Sequence, residues 1–402
     1  NHQKRSDDMK PVELAKDIYW VGAIDWNIRD FHGYSVNKGS TYNAYLIMDE
    51  KITLIDTVKR EFADELIDNI STLVDPKKID HVISNHTEMD HSGGLPRVMH
   101  RVGEDKPLYC SQMGYKNLSK HFSQKWNYQP VESGGELNLG KRTLTFLETR
   151  MLHWPDSMFT YAKEDKILFS SDAFGQHYAG LERFDDEVGE AIMPHARKYF
   201  ANILLLYAPL VLKLVEEVTK MGLSIEMICP DHGIMWRRDP SKIINAYVQW
   251  SKQAPQRKAV VVYDTMWHST ETMARTIVEA LGARGVDARP YHLRANHRSD
   301  VITEVLDAGA VVVGSPTLNN GLFPTVSDFL TYLKGLKPRN KIGAAFGSYG
   351  WSGEAVKLLS AELKTMQLDV IDPGVRLQYV PDEEGLEACR NLAEKIARAL
   401  PE

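Results

Sequence analysis

Two α/β regions of different construction are predicted from this sequence: an N-terminal mixed sandwich of sheets with outer helices, and a C-terminal doubly wound parallel sheet. Three observations predict them. The chain has 402 residues, more than one domain of about 150 residues accommodates. From residue 259 onward, short β-branched runs alternate with amphipathic stretches, the pattern of a parallel sheet covered on both faces. Before residue 251 the apolar runs are separated less regularly, and several end in residues of metal-ligand type.

Composition narrows the class of protein. Hydrophobic residues at 43% and charged residues at 25% suit a globular fold and argue against disorder. Lys plus Arg is 48 against 54 for Asp plus Glu, a net charge of −6, so a nucleic-acid binder is not expected. Residues 252–402 hold 18 basic and 18 acidic side chains, and the N-terminal part therefore carries the whole imbalance. Cys110, Cys229 and Cys389 form no CxxC pair, which excludes a disulfide scaffold, a zinc ribbon and a built-in rubredoxin-type iron site. The first ten residues are polar, so no export signal is expected, and the cytoplasm is the expected compartment. The longest apolar stretch, 201–214, contains Pro209 and Lys213 and is shorter than the roughly 20 residues that span a bilayer. It predicts a buried helix with a break and no membrane association.

Along the N-terminal part, runs 41–48 and 52–55 flank the charged turn Asp49-Glu50-Lys51 and predict a hairpin. Further strands are expected at 79–84, 108–110, 144–148, 167–170 and 225–229, with helices at 60–73, 95–102 and 210–221. The polar stretch 251–258 predicts a linker, dividing the chain into domains 1–251 and 258–402 joined by 252–257. Beyond it, strands are expected at 259–263, 289–293, 310–314, 342–346 and 375–380. Helices follow at 269–283, 299–306, 325–333, 353–366 and 382–399. Five strand–helix units make this a flavodoxin-like, doubly wound domain.

The most informative string is His86-Thr87-Glu88-Met89-Asp90-His91, directly after the strand at 79–84. In an extended segment, residues two apart face the same way, so His86 and Glu88 converge on one metal. A turn at Asp90 and His91 aims those two at a neighbour. His153, Asp172 and His232 each follow another predicted strand, at the ends where loops turn side chains inward. Taken singly, Asp172 serves equally as a helix cap and His232 as a turn residue beside Gly233. Together, seven such residues at the ends of four strands predict a dinuclear metal site.

That string, with the three downstream residues, resembles the metallo-β-lactamase superfamily, an αββα sandwich with its metals at one edge. Glu88 stands where the usual motif has a second histidine. A carboxylate there hardens the ligand set and favours iron over zinc. With the flavodoxin-like half, the chain resembles the flavodiiron proteins (A-type flavoproteins) over essentially its whole length, and within them looks most like the rubredoxin–oxygen oxidoreductases. Supporting strings include Asp25-Trp26-Asn27, Phe31-His32-Gly33, Thr41-Tyr42-Asn43-Ala44-Tyr45, His153-Trp154-Pro155-Asp156 and Phe174-Gly175-Gln176. The resemblance implies one iron held by His86, Glu88 and His153, and another by Asp90 and His232 with His91 as an optional ligand. Asp172 is the implied bridge. His32 and Tyr199 match positions near the site that orient oxygen ligands or protons.

FMN needs a phosphate cradle, a ring platform and contacts to the ring's polar edge. Thr265-Met266-Trp267-His268-Ser269-Thr270 joins the first strand of the C-terminal domain to its first helix, and hydroxyls and amides at a helix N-terminus hold phosphate without a basic residue. Two more strand-end loops contribute Pro316, Thr317, Leu318 and Asn319, and then Ser348, Tyr349, Gly350 and Trp351. Trp351 or Tyr349 is placed to stack on the isoalloxazine, with Thr317 and Asn319 at its edge. No nicotinamide or ATP motif occurs.

The expected function is a flavodiiron oxidoreductase that passes electrons through FMN to two irons and reduces dioxygen to water, with nitric oxide reduction to nitrous oxide as the alternative. The resemblance implies a head-to-tail homodimer, or a dimer of dimers, in which each FMN faces the partner's irons. A separate rubredoxin is the expected donor, with an F420-type or nicotinamide-linked donor as the other option. Two competing readings are a dinuclear zinc hydrolase fused to a flavodoxin, disfavoured by Glu88, and an electron carrier with a scaffold metallo domain, which predicts gaps among the seven ligand positions. The basic stretch Lys334, Lys337, Arg339, Lys341 is expected to be a solvated face at the sheet end away from the flavin.

Overall fold

The computed structural model describes residues 11–402; the polar stretch 1–10, where no export signal is expected, lies outside the described residues. Two compact units are present. One runs to Phe31 and continues through Val36–Tyr199 and Pro209–Val248; the other gathers His32–Ser35, Phe200–Ala208 and Gln249–Glu402.

The first unit is an αββα sandwich. Its larger sheet has seven strands, in the order Val12–Ala15, Ile18–Trp20, Tyr45–Ile47, Thr53–Ile55, His81–Ser84, Pro107–Ser111 and Asn127–Val131. The other has five: Glu136–Asn138, Thr143–Glu148, Met158–Ala162, Ile167–Phe169 and Met227–Cys229. Alternation along each strand assigns the faces. Tyr45, Ile47, Ile55 and Ile83 join Phe146, Met158 and Phe169 in the core shared by the sheets. Leu46, Leu54 and Val82 point the other way, against Leu66 and Ile70 of helix Ala63–Leu73 and Val98 and Met99 of helix Leu95–Val102.

The second unit holds a five-stranded, wholly parallel sheet in the order Asp287–His292, Gln256–Tyr263, Ala308–Gly314, Ile342–Tyr349 and Asp369–Gln378. The strand order reverses direction between the strands Gln256–Tyr263 and Ala308–Gly314, which is where doubly wound sheets open a crevice for ligands. Val261, Val312 and Ala344 pack with Met273, Ile277, Leu392 and Ile396 on one side. Val260, Val262, Val311 and Val313 are buried as well, as helices on both faces require.

Three expectations need correction. The run 41–48 is not one strand: Tyr45–Ile47 forms the expected hairpin with Thr53–Ile55, but Ser40–Tyr42 pairs with Ala23–Asp25 in a small separate sheet. The polar stretch 251–258 is mostly regular structure, because helix Pro240–Lys252 and strand Gln256–Tyr263 leave only three residues between them. Lys341 is not part of a solvated face. Lys334, Lys337 and Arg339 are exposed, but Lys341 immediately precedes a buried strand, is 3% exposed, and its Nζ donates to the Leu306 carbonyl at 3.1 Å. The apolar stretch 201–214 is broken as expected, passing from π-helix Phe200–Leu204 through a 3₁₀ turn to α-helix Ala208–Lys220. The longer helical run Asp185–Lys220 is long and apolar enough to cross a membrane by length and composition alone, with half of its most apolar window buried, as the core helix of a globular fold also is.

Candidate metal centre and flavin pocket

The residues of the metal string sit where strand ends aim them. His86 and Glu88 follow strand His81–Ser84, and a one-turn helix, Met89–Ser92, turns Asp90 and His91 inward. Asp56, at the end of the neighbouring strand Thr53–Ile55, fixes the start of this loop by accepting the Asn85 amide at 2.7 Å and its side-chain nitrogen at 2.8 Å. His153, Asp172 and His232 lie just beyond Thr143–Glu148, Ile167–Phe169 and Met227–Cys229.

Seven side chains converge in two groups. His86, Glu88, His153 and Asp172 form one, and Asp90, His91 and His232 the other; within each, the donor atoms lie within 4.8 Å of one another. Asp172 faces both. Its Oδ2 is 3.3 Å from His86 Nε2 and 3.0 Å from His153 Nε2, while Oδ1 is 3.1 Å from His91 Nε2 and 3.4 Å from His232 Nε2. Glu88 Oε2 lies 3.3 and 3.2 Å from His86 and His153 Nε2, and Asp90 Oδ2 lies 3.2 Å from His232 Nε2. These approaches are not an ordinary hydrogen-bond network. Both Asp90 oxygens, both His91 nitrogens and Asp172 Oδ2 are buried without a hydrogen-bond partner. Buried polar atoms left unpaired are costly, and a shared cation removes the cost.

The electrostatics agree. Burial disfavours the imidazolium forms, but the surrounding carboxylates outweigh it, holding His86 well above its ordinary value and His91 at about 10. Burial would raise the Asp172 carboxyl, yet His91 and His153 hold it well below the usual carboxylate range. The pocket favours positive charge, which protons or metal cations supply. The rings are also turned for ligation. His232 Nδ1 donates to the Thr41 carbonyl at 2.7 Å, and His86 Nδ1 donates to Asp156 Oδ2 at 3.0 Å, leaving Nε2 of each as the lone-pair donor. The donor set of four imidazoles and three carboxylates fits a pair of iron ions.

Tyr199 is buried, and its hydroxyl donates to Asp172 Oδ1 at 3.0 Å. Burial and the Asp172 carboxylate raise its pKa well above the ordinary value. His32 is exposed in the turn between strands Asp30–Phe31 and Tyr34–Ser35 and belongs to the other unit. Several neighbours escaped the sequence reading. His177 is buried with its ring 4.8 Å from that of His232 and its Nδ1 2.8 Å from Ser40 Oγ. Asp231 Oδ2 lies 3.7 Å from His91 Nδ1; burial, with Asp56 adding repulsion, pushes the Asp231 carboxyl well above the usual range. Asp56 and Asp231 carried a signal, since each occupies the same strand-end position as the ligands.

In the second unit a cavity of about 450 Å³ opens at the carboxyl ends of the strands. Met266, Trp267, Ser269, Pro316, Thr317, Leu318, Asn319, Ser348, Tyr349, Gly350 and Trp351, all expected there, line it. Thr265, His268 and Thr270 are not on its wall. Thr265 and Thr270 are buried beside it, and His268 adopts a left-handed backbone (φ 66°) at the N-cap of helix Ser269–Gly282. Thr265 Oγ1 is buried without a partner. A hydroxyl with no protein partner, in the loop that leads into the open first-turn amides of helix Ser269–Gly282, fits a phosphate. Asn320, Ser352, Tyr379 and Val380 complete the wall beyond the expected set. Tyr379 and Val380 follow the last strand, Asp369–Gln378, and obey the same strand-end rule as the rest.

Known proteins share both halves. Residues 41–233 match the family described as ODP family beta lactamase, and residues 261–392 match Flavodoxin. The chain is 48% identical over 393 residues to a nitric oxide reductase of Moorella thermoacetica, covering 96% of this chain and 98% of that one. It is 46% identical over 397 residues to a rubredoxin-oxygen oxidoreductase of Megalodesulfovibrio gigas, covering 98% of each. The solved flavodiiron protein of Giardia intestinalis superposes with a TM-score of 0.94 at 36% identity, over 98% of this chain and 97% of that one. A lactamase-like sandwich with a dinuclear ligand set, on one chain with a flavodoxin-like sheet, defines a class of two-cofactor oxidoreductases. The chain belongs to the flavodiiron proteins, whose cofactors are FMN and a non-haem pair of irons.

Proposed function

We propose that this protein reduces dioxygen to water, with reduction of nitric oxide to nitrous oxide as the alternative at the same site, using electrons from a separate donor such as rubredoxin. The observation that carries the reading is the convergence of seven donor side chains around Asp172, whose two oxygens face two separate groups. Residues 1–251 are proposed to carry the metal pair and 258–402 the flavin, with 252–257 between them. When bound, FMN and the irons supply the electron transfer, four electrons for dioxygen or two for a pair of nitric oxide molecules.

In this reading His86, Glu88 and His153 would hold one iron, Asp90 and His232 the other with His91 as an optional further ligand, and Asp172 would be shared by the two groups. Asp156 and Thr41 keep the His86 and His232 rings turned so that Nε2 faces inward. Tyr199 keeps its proton through the neutral range, because burial and Asp172 raise its pKa, and it presents that hydroxyl hydrogen to the bridging carboxylate. Thr317, Asn319 and the loop 348–351 hold the flavin ring, and 265–270 its phosphate. A head-to-tail homodimer in the cytoplasm completes the proposal.

The test is turnover of anaerobically purified protein with one reduced donor and each gas in turn. Oxygen uptake or nitric oxide consumption is expected. Two bound zinc ions with no consumption of either gas would overturn the reading.

A further inference from the structure

Directly before the phosphate cradle stands a carboxylate that at first sight works against it. Asp264 follows strand Gln256–Tyr263 and is fully buried, one residue from Thr265. An unpaired buried anion here would repel a phosphate dianion. It is instead among the most heavily bonded side chains of its unit. Oδ1 accepts the Thr265 amide at 2.6 Å and Arg294 Nε at 3.0 Å, and lies 3.2 Å from His292 Nε2; Oδ2 accepts the Thr325 hydroxyl at 2.5 Å. Arg294 Nη2 is 2.9 Å from Oδ1 and also donates to the Thr265 carbonyl. Thr325 lies in the first turn of helix Pro324–Leu336, whose N-terminal amides favour an anion. His292 is stacked on Tyr263, 5.3 Å between ring centres at an interplanar angle of 13°.

Two consequences follow for the cradle. The Thr265 backbone is held at both ends, its amide by Asp264 and its carbonyl by Arg294, so neither is free to turn. The one polar atom of Thr265 left without a partner is Oγ1, which is buried. Arg294 meanwhile neutralises the charge that would oppose the phosphate. We propose that Asp264, braced by Arg294 and Thr325, is a positioning residue that sets the preference of this pocket for a phosphorylated flavin over an unphosphorylated one. The inference rests on the flavin reading above.

The experiment is fluorescence titration of the full-length, deflavinated chain with FMN and with riboflavin, which lacks only the phosphate. Asp264→Asn keeps the shape and removes the charge that holds Arg294. Its FMN Kd is expected to rise roughly tenfold or more, as loss of charge-assisted hydrogen bonds implies, while riboflavin changes less than about twofold. Arg294→Gln, at a side chain 52% exposed, is expected to shift FMN in the same direction by about threefold or more. It decides the matter if Asp264→Asn does not fold. Unchanged or tighter FMN binding in Arg294→Gln and Asp264→Asn overturns the inference, and so does equal weakening of both flavins, which marks a merely structural role. If the unaltered chain itself binds riboflavin as tightly as FMN, the phosphate cradle and this inference fall together; if it prefers FMN and the variants keep that preference, only the inference falls.

Discussion

In the metal pocket six of the seven donor side chains are buried and only His153 reaches intermediate exposure, whereas the flavin pocket leaves Trp267 and Trp351 87% and 85% exposed. The first is a closed site of ionisable groups whose burial is costly until a cation arrives. The second is an open site of aromatics and hydroxyls on loops. Its shape comes from the strands beneath, and its aromatic rim stands open to solvent. Residue type identifies a site of the first kind; position in the topology identifies the second.

The two pockets should respond most differently to a change at Asp172. Asp172→Ala removes both oxygens that face the two groups, and metal analysis is expected to show most of the iron lost while the flavin content is unchanged. Turnover with either gas should fall by more than the roughly 10–100-fold typical of losing an outer partner. Retained iron would show that the two groups do not share this carboxylate.

Asp156→Asn sharpens the same contrast. It leaves all seven donors in place but weakens the acceptor that turns His86, so iron affinity is expected to fall about 10–100-fold with flavin affinity unaffected. Titration with ferrous ion checks it, and unaltered affinity would assign His86 its orientation by packing against Trp154 instead.

These two residues also mark how far the sequence could be read. Each of the seven donors follows an apolar run, so strand-end position and side-chain chemistry are visible together. Asp156 lies 70 residues from His86, and its pairing depends on two loops meeting in space. The same holds for Thr41 and His232, which are 191 residues apart. In the flavodoxin-like unit every expected strand and helix is present, because the β-branched runs 260–262 and 311–313 leave little ambiguity and regular alternation with amphipathic helices places the rest. Tyr379 and Val380 were missed because strand Asp369–Gln378 carries Asp372, Pro373 and Gly374 in its middle and only its end was recognised. The opening strands of the sandwich, such as Val12–Ala15 and Ile18–Trp20, are too short for their periodicity to register.

A smaller effect is expected from Tyr199→Phe. The change removes one hydroxyl from Asp172 Oδ1 and leaves the ring, so iron and FMN should stay bound while turnover falls about three- to tenfold, the range of one hydrogen bond. Steady-state rates with metal counts on the same sample check it; iron loss instead would make the tyrosine a support for ligation.

A last effect, on stability and not on turnover, lies in the flavodoxin-like unit and is read through pH. Burial pushes the Lys341 amine down to about 8, below its unfolded value near 10.5. Between those values the unfolded chain binds the extra proton and the folded one does not, so this residue's contribution to stability rises with pH across about 8 to 10.5 and is least favourable below 8. Lys341→Met removes the titration. Its stability relative to the unaltered protein is expected to be greatest near pH 7 and to decline toward pH 10, by on the order of 1–3 kcal/mol, in paired denaturant melts. A pH-independent difference would show that the buried amine keeps an ordinary pKa.

The most direct measurement is the metal and flavin content of protein purified without oxygen. Two irons and one FMN per chain, with the iron falling and the flavin holding in Asp172→Ala, is the predicted result. Zinc in the pocket, or iron that stays when Asp172 is gone, would contradict it.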